Sequence, residues 1–263
     1  MPLFRLHKND FSFPSPSFAE PDGLLAVGGD LSPARLLEAY RLGIFPWYSE
    51  KDPLLWWSPD PRLVLFPARF HFTRRLARTM RSQKFAMSVD SVFAEVIATC
   101  ANIRRRGERG TWITPEMQEA YIILHELGYA HSLECWLNGK LVGGLYGVCL
   151  DQVFFGESMF SAVADASKLA LATLCKEAPK WGISLIDCQM TTSHLRSLGA
   201  EEVTGADFRQ LLAKLIRSLK SQKKWRLSYT GKEGNGTTDA KSGKRHVHQG
   251  GVEKDSQKES IPD

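Results

Sequence analysis

The chain has 263 residues, of which 43% are apolar and 24% charged, a balance typical of a globular protein that excludes a largely disordered chain. No apolar run approaches the roughly 18 residues of a membrane-spanning helix, so we expect no membrane partner. The N-terminus lacks the apolar core of a signal peptide, so we expect no secretion. A net charge of +5 is too small for a histone-like binder, but it allows a local site for an anionic partner.

The cysteines and histidines do not form a recognisable metal-binding pattern. Five cysteines are scattered along the chain and none belongs to a CxxC pair, so we expect neither a disulfide framework nor a structural zinc site. His125-Glu126 is followed by His131 and not by a histidine at position 129, so the HExxH zinc spacing is absent. The sequence therefore predicts no metal, no cofactor and a reducing, cytoplasmic setting.

The first part of the chain is rich in proline, glycine and aromatic residues. Ser32-Pro33 predicts the start of a short helix, with serine as N-cap and proline at the first helical position, and Gly43 predicts its end. Two prolines on either side of Asp60 indicate a rigid linker. We therefore predict a small N-terminal domain over residues 1–61.

Helix and strand signals alternate over residues 62–228. Asn138-Gly139 lies between two apolar runs and predicts a β-hairpin. The predicted elements are helices over 72–82, 91–101 and 114–128, strands over 131–137, 140–150 and 152–155, a helix over 165–176, a strand over 183–189 and a helix over 207–219. This order predicts an α+β catalytic domain over 62–228, with a mixed, largely antiparallel sheet flanked by helices.

The end of the chain has a different composition. Residues 229–263 contain few aliphatic side chains among many charged and small polar ones. Such a segment cannot bury enough apolar surface to offset the entropy lost on ordering. We therefore predict a disordered C-terminal tail.

Two polar residues interrupt the apolar strand predicted over 183–189. Side chains alternate along a strand, so Asp187 and Gln189 are expected on one face. An aspartate among apolar neighbours is costly to bury without a partner. The pair fits either a structural hydrogen bond or a site that positions and receives a proton. Cys188 between them is interpreted as a small buried hydrophobe and not as a nucleophile.

Glu157 lies in an aromatic run together with Phe154, Phe155 and Phe160. A carboxylate in such surroundings needs a cation or hydrogen-bond donors, or it becomes protonated. A neighbouring arginine or lysine and the amine of a substrate both fit this requirement.

Basic and aromatic residues allow a nucleic-acid interpretation. Arg74, Arg78 and Arg81 follow the i, i+4, i+7 spacing that aligns side chains on one helical face. A solvated face is the ordinary explanation, and contact with phosphates is the alternative. Trp47 and Trp112 fit a core position, and they also fit stacking on an unpaired base.

A glycine-rich run, Gly143-Gly144-Leu145-Tyr146-Gly147, lies inside a predicted strand and opens no helix. We therefore expect close backbone packing there, and not a dinucleotide site.

Seven motifs, in chain order, resemble the leucyl/phenylalanyl-tRNA–protein transferase family. They are PDGLLAVGGDLSP at 21–33, GIFPW at 43–47, WWSPDPR at 56–62, GTWI at 110–113, GGLYG at 143–147, GESMFS at 156–161 and DCQ at 187–189. The resemblance implies a bacterial, cytoplasmic enzyme of the N-degron pathway. It would move Leu or Phe, and Met less well, from aminoacyl-tRNA to proteins that begin with Arg or Lys. It also implies a catalytic domain like the N-acetyltransferase superfamily, although no phosphate loop for coenzyme A is visible.

The resemblance also implies roles for individual residues. Asp187 and Gln189 would be the catalytic pair, and Trp47 and Trp112 would hold the terminal adenosine of the tRNA. The residues that would line the aminoacyl site are Tyr121, Leu145, Phe154, Glu157 and Ile186. The residues that would meet the phosphates of the acceptor stem are Arg74, Arg78 and Arg81. Leu145 departs from the family, in which methionine is frequent at this position.

Two other functions fit parts of the sequence. One is a coenzyme-A-dependent N-acyltransferase on a similar fold, and the missing phosphate loop argues against it. The other is a non-catalytic tRNA-binding protein. The Asp187 and Gln189 pair argues against this second function, because binding alone does not need such a pair inside an apolar strand.

Overall fold

A computed structural model describes residues 3–103, 112–221 and 225–227. The predicted tail over 229–263 and the arginine run at 104–106 lie outside the described residues. Within these ranges the chain forms a four-stranded sheet and a seven-stranded sheet with helices packed against them. None of the helices in the described ranges is long and apolar enough to cross a bilayer.

The smaller sheet is built from the first 57 residues. Its strands are β1 (Phe4–Leu6), β2 (Leu24–Gly28), β3 (Phe45–Pro46) and β4 (Leu55–Trp57), in the order β1-β2-β4-β3. Helix α1 (Pro33–Arg41) connects β2 to β3 and begins with Pro33, as the sequence predicts. Ser32 occupies the N-cap position, but its side chain makes no capping hydrogen bond.

The larger sheet confirms the predicted mixed, largely antiparallel arrangement. Its strands are β5 (Arg62–Leu65), β6 (Ala86–Val89), β7 (Ala130–Leu137), β8 (Lys140–Leu150), β9 (Val153–Ser161), β10 (Leu185–Gln189) and β11 (Glu201–Val203). Their order is β11-β5-β10-β9-β8-β7-β6, and only β9 and β10 run parallel. Asn138 and Gly139 form the predicted hairpin turn with φ values of +52° and +72°, both in the left-handed region that this turn requires.

Helices cover both faces of the larger sheet. They are α2 (Arg74–Arg81), α3 (Phe93–Asn102), α4 (Pro115–Glu126), α5 (Ala166–Glu177), α6 (Ser193–Ser197) and α7 (Gly205–Leu215). Helix α5 packs against one face together with Leu133, Leu145 and Phe154. Helices α3 and α4 pack against the opposite face, where Trp56 of the smaller sheet joins the same hydrophobic core as Phe155. The two sheets therefore share one core.

The sequence predictions missed several short strands. The strands β5, β6 and β11 and the four strands of the smaller sheet are two to five residues long and show no extended alternation of apolar and polar residues. The change from one sheet to the other falls between Trp57 and Arg62. This lies beside the predicted domain boundary at residue 61, which stays a prediction.

Candidate active site

A cavity of about 490 Å³ opens where the two parallel strands separate. The pairing of β9 with β10 ends at Phe155 and Asp187, although β9 continues to Ser161. Residues of both strand ends, from Gly156 to Met159 and from Asp187 to Met190, line the cavity. Its volume is in the range of small-molecule sites.

Two β-bulges redirect side chains at this edge of the cavity. On β9, Gly156 pairs with Gly147 and Ser158 pairs with Tyr146, which leaves Glu157 as the extra residue. On β10, a register shift leaves Cys188 as the extra residue, and Gln189 has a φ of +60°. A bulge bends its strand and re-aims the neighbouring side chains. Here the result is a hydrogen bond across the gap, in which Gln189 Nε2 donates to Glu157 Oε1 at 2.9 Å.

Glu157 is held by neutral donors. The Tyr121 hydroxyl donates to Glu157 Oε2 at 3.0 Å, and a short hydrogen bond joins Tyr121 to Tyr40. Burial raises the pKa of Glu157 to about 7, while hydrogen bonds from Tyr40 and Tyr121 limit the rise. No described arginine or lysine forms an ion pair with Glu157. The arrangement leaves a carboxyl group that changes charge near neutral pH in the wall of the cavity.

Asp187 is fully buried and forms an ion pair with Arg62. Arg62 Nε donates to Asp187 Oδ1 at 2.8 Å, and Arg62 Nη2 donates to Oδ2 at 2.6 Å. The guanidinium carbon of Arg62 lies 4.8 Å from the ring centres of both Phe45 and Phe208. The two hydrogen bonds, together with the two aromatic rings beside the guanidinium, fix the position of the carboxylate.

The Asp187 side chain contacts Gln189 at its main chain and not at its side chain. The Gln189 backbone N–H donates to Asp187 Oδ1 at 2.9 Å. The Gln189 side chain is therefore directed by its bond to Glu157, and its carbonyl oxygen remains a hydrogen-bond acceptor beside the cavity. The sequence does not show that Asp187 binds the Gln189 main chain while Glu157 binds the Gln189 side chain. Alternation along a strand predicts the face on which a side chain lies, but not its hydrogen-bond partner.

The other end of the cavity is apolar. It is lined by Leu145, Phe154, Ile186, Leu171 and Leu174, all of them buried. The glycine-rich run on β8 lets this wall pack closely, as predicted. A Cβ at Gly147 would lie 2.6 Å from Phe154 Cζ, too close for any side chain, so the Phe154 ring rests on bare backbone.

Two indole rings border the cavity. Trp47 is 38% exposed and Trp112 is half-buried. A third tryptophan, Trp57, supports Trp47: its indole N–H donates to the Trp47 carbonyl at 2.6 Å. The rings of Trp57 and Trp47 meet edge to face with centres 5.5 Å apart. The rings of Trp47 and Trp112 offer apolar faces on which a flat group can stack.

Other residues singled out in the sequence lie outside the cavity wall. Tyr121 is fully buried and stands one layer behind Glu157. Arg74, Arg78 and Arg81 are exposed on α2, and no described acidic residue forms an ion pair with them. Their neighbour Arg75 does form one, with Asp165 at 2.9 Å, next to the start of α5.

Cys188 is in the cavity wall, but burial raises the pKa of its thiol well above the ordinary value. A thiol is a poor nucleophile, since the thiolate is the reactive form. This agrees with the interpretation of Cys188 as a small hydrophobe.

Sequence reasoning missed Arg62, Tyr40 and the α5 residues Leu171 and Leu174. A signal for Arg62 was present, because a buried aspartate requires a partner and an arginine directly follows the predicted linker. Its position opposite Asp187 depends on the unpredicted strand β5.

Comparisons with known proteins identify the family. A model described as leucyl/phenylalanyl-tRNA protein transferase matches residues 64–213, and the model of its N-terminal domain matches residues 29–60. A leucyl/phenylalanyl-tRNA–protein transferase of Aromatoleum aromaticum is 59% identical over 199 residues, which cover 76% of this chain and 84% of the relative. Its namesake from Syntrophobacter fumaroxidans is 55% identical over 225 residues, which cover 86% of this chain and 96% of the relative.

Solved structures are more distant. A GCN5-related N-acetyltransferase from Kribbella flavida matches with 12% identity and a TM-score of 0.32, over 64% of this chain and 60% of its own.

Proposed function

This chain belongs to the leucyl/phenylalanyl-tRNA–protein transferase family and is an aminoacyltransferase that acts from tRNA to protein, and we propose that its donors are Leu-tRNA and Phe-tRNA, with Met-tRNA used less well. Its proposed acceptors are proteins that begin with Arg or Lys, and the added residue marks them for degradation by the N-degron pathway. The proposed setting is the cytoplasm, which agrees with five cysteines that form no disulfide.

One observation carries this proposal: the Gln189 amide and the Glu157 carboxyl group stand side by side in the wall of a cavity that is lined mostly by apolar side chains. A polar pair in this position suits a substrate with an apolar side chain and an amine close to the reacting carbon. Leucyl and phenylalanyl esters have this chemistry.

The donor side chain occupies the apolar end of the cavity in this proposal. Leu145, Phe154 and Ile186 form its wall, and none of them can hydrogen-bond a substrate. One methylene in an apolar pocket is worth about 1–3 kcal/mol, so close isosteres are rejected only weakly. Some transfer of methionine follows from this.

The aminoacyl ester is already activated, so the enzyme needs no covalent intermediate. The α-amine of the acceptor has a pKa of about 7.7–8.0, so part of it is neutral near pH 7. The Gln189 carbonyl oxygen accepts a hydrogen bond from this amine and directs its lone pair to the ester carbon. The new C–N bond forms, the bond from carbon to the ribose oxygen breaks, and the amine proton passes to the departing ribose oxygen. Alignment of this kind supplies up to about 7–11 kcal/mol.

Asp187 and Arg62 act through Gln189 in this mechanism and are therefore positioning residues. The Arg62 guanidinium fixes the Asp187 carboxylate, and this carboxylate fixes the Gln189 main chain at the bulge. The Arg62 guanidinium offsets the negative charge of Asp187, so this carboxylate acts by fixing the position of Gln189. Glu157 binds the ammonium group of the donor residue, since the Gln189 oxygen is assigned to the acceptor.

The tRNA is held by stacking and by phosphate contacts. The terminal adenosine stacks on Trp47 and Trp112. The exposed arginines of α2, Arg74, Arg78 and Arg81, meet the phosphates of the acceptor stem. Arg75 bonds to Asp165 beside α5, and Leu171 lies on α5 only about 9 Å further along the helix axis. Helix α2 therefore packs beside the helix that lines the cavity.

A transfer assay tests the proposal. Labelled Leu-tRNA is mixed with the enzyme and with peptides that begin with a free Arg, an acetylated Arg or a free Asp. We expect labelled product only from the free Arg peptide. Equal labelling of the Asp peptide would contradict the acceptor assignment. Acetylation of the Arg peptide by labelled acetyl-CoA would instead favour the coenzyme-A-dependent alternative.

A further inference from the structure

A buried stack of three rings lies on the α5 face of the larger sheet. Trp225 is only 5% exposed, although it belongs to the short described segment 225–227 after α7. Its ring stacks on His131 with centres 4.0 Å apart at 7°, and on Trp181 with centres 4.2 Å apart at 12°. Trp225 is therefore clamped between a strand residue and a residue that follows α5.

Both outer rings of the stack are anchored. His131 Nδ1 lies 2.8 Å from Asp90 Oδ2, and Asp90 also accepts the Ser132 backbone N–H at 2.9 Å. The indole N–H of Trp181 donates to the Arg226 carbonyl at 3.3 Å. These bonds fix the position of the Trp225 ring relative to the sheet.

The clamped ring also touches the wall of the cavity. The ring centres of Trp225 and Phe154 lie 5.8 Å apart at 41°, and Phe154 is only 1% exposed. Phe154 therefore has the cavity on one side, the bare backbone of Gly147 on a second and Trp225 on a third. Trp225 forms a second layer behind the apolar end of the cavity.

We propose that Trp225 is a specificity-determining residue, which sets the depth of the donor side-chain pocket by holding the Phe154 ring forward. The proposal rests on the proposed function, because it assumes that the donor side chain lies against Phe154. Protein interiors are close-packed, so removal of the indole leaves a void into which neighbouring rings can relax. A deeper pocket favours the larger phenylalanyl side chain over the leucyl one.

The test compares two donors in the full-length enzyme. The kcat/KM for Leu-tRNA and for Phe-tRNA is measured on the same Arg peptide, for the unsubstituted enzyme and for Trp225→Ala. We expect the Phe-to-Leu ratio to rise roughly tenfold, as for other changes of pocket size by a few methylenes. Trp136→Ala is the matched control, because Trp136 donates to Ser88 and makes no ring contact with the cavity wall. Its ratio should equal that of the unsubstituted enzyme.

A double-mutant cycle separates this role from a general loss of stability. In a Phe154→Leu background, Trp225→Ala should change the donor ratio less than about twofold, because the ring it supports is gone. Trp225→Leu replaces Trp225→Ala if the latter does not fold. A folded variant that lowers both donors equally, or leaves the ratio unchanged, would overturn the proposal. Failure of the unsubstituted enzyme to transfer either residue would instead overturn the proposed function.

Discussion

The two ends of the cavity are built in different ways. At the polar end, Glu157, Gln189 and Asp187 are joined by hydrogen bonds that continue to Arg62 and Tyr121. At the apolar end, side chains such as Leu145, Phe154 and Ile186 are fixed only by packing. Directional bonds define the position of an atom, whereas packing defines the shape of a space.

This difference separates chemistry from selectivity. A change at the polar end displaces the groups that meet the reacting atoms, and a displacement of about 1 Å can cost 100-fold in rate. A change at the apolar end alters how well one side chain fits relative to another, which is a smaller effect. The predictions below test this separation.

The largest effect is expected for Asp187→Ala. The substitution leaves Arg62 buried without its partner, which lowers the free energy of unfolding by about 3–5 kcal/mol. It also frees the Gln189 main chain, so we expect kcat to fall about 100-fold while the Kd for tRNA stays within about threefold. Kinetics and filter binding with Leu-tRNA measure both quantities.

A double variant controls for the buried charge. In Arg62→Met with Asp187→Asn both charges of the ion pair are removed together, and the asparagine oxygen can still accept the Gln189 N–H. We expect this protein to be more stable and more active than Asp187→Ala. Equal losses of turnover and tRNA affinity in Asp187→Ala would contradict the positioning role.

Glu157 makes stability depend on pH. Its pKa rises from 4.5 to about 7 in the folded chain. Between these values the folded protein keeps a proton that the unfolded chain has lost, so the free energy of unfolding declines as pH rises through this window. Glu157→Gln removes the decline and should be more stable than the unsubstituted protein at pH 8, by up to about 3 kcal/mol.

Urea unfolding at pH 5 and pH 8 measures this effect. Glu119→Gln, an exposed position on α4, is the control and should follow the unsubstituted protein at both values. A stability gain of Glu157→Gln that is the same at pH 5 and pH 8 would show that ionisation of Glu157 is not its cause.

A smaller effect is expected for Leu145→Ala at the apolar end. The added space should raise the Phe-to-Leu ratio of kcat/KM about tenfold and leave the better donor near its original kcat. Leu145→Met keeps the volume of the wall and should change the ratio less than about threefold. Competition between Leu-tRNA and Phe-tRNA gives the ratio directly. A large loss of kcat with both donors would contradict the claim that the apolar end controls selectivity and not the chemical step.

The smallest effect is expected on the surface of α2. Arg78→Gln should lower the slope of log Kd for tRNA against log salt concentration by about 1, with a modest loss of affinity. Arg75→Gln is the matched control, because Arg75 is already paired with Asp165. Identical slopes for the two variants would contradict the proposal that α2 contacts the tRNA phosphates.

The sequence predicted the elements that carry strong local signals. Asn138-Gly139 predicts the hairpin, and helix α4 (Pro115–Glu126) lies within the range 114–128 that the sequence predicts. The bulges at Glu157 and Cys188 could not be predicted, because each depends on the register between strands that are distant in sequence. The two bulges allow the hydrogen bond between Gln189 and Glu157, so this bond could not be predicted from the sequence.

The partners of buried charges were also beyond sequence reasoning. The requirement for a partner of Asp187 was predicted, but its identity depends on how β5 and β10 align. Trp225 gives a similar lesson. It lies near the end of the catalytic domain predicted over 62–228, and only its contacts with His131 and Phe154 show that it lies behind the cavity.

The most direct test of the mechanism is the single-turnover rate of Gln189→Leu. Labelled Leu-tRNA is bound at saturation and mixed with an Arg peptide, so that only alignment and chemistry limit the rate. The account predicts a rate about 100-fold lower than that of the unsubstituted enzyme, with an unchanged Kd for Leu-tRNA. A rate equal to that of the unsubstituted enzyme would contradict it.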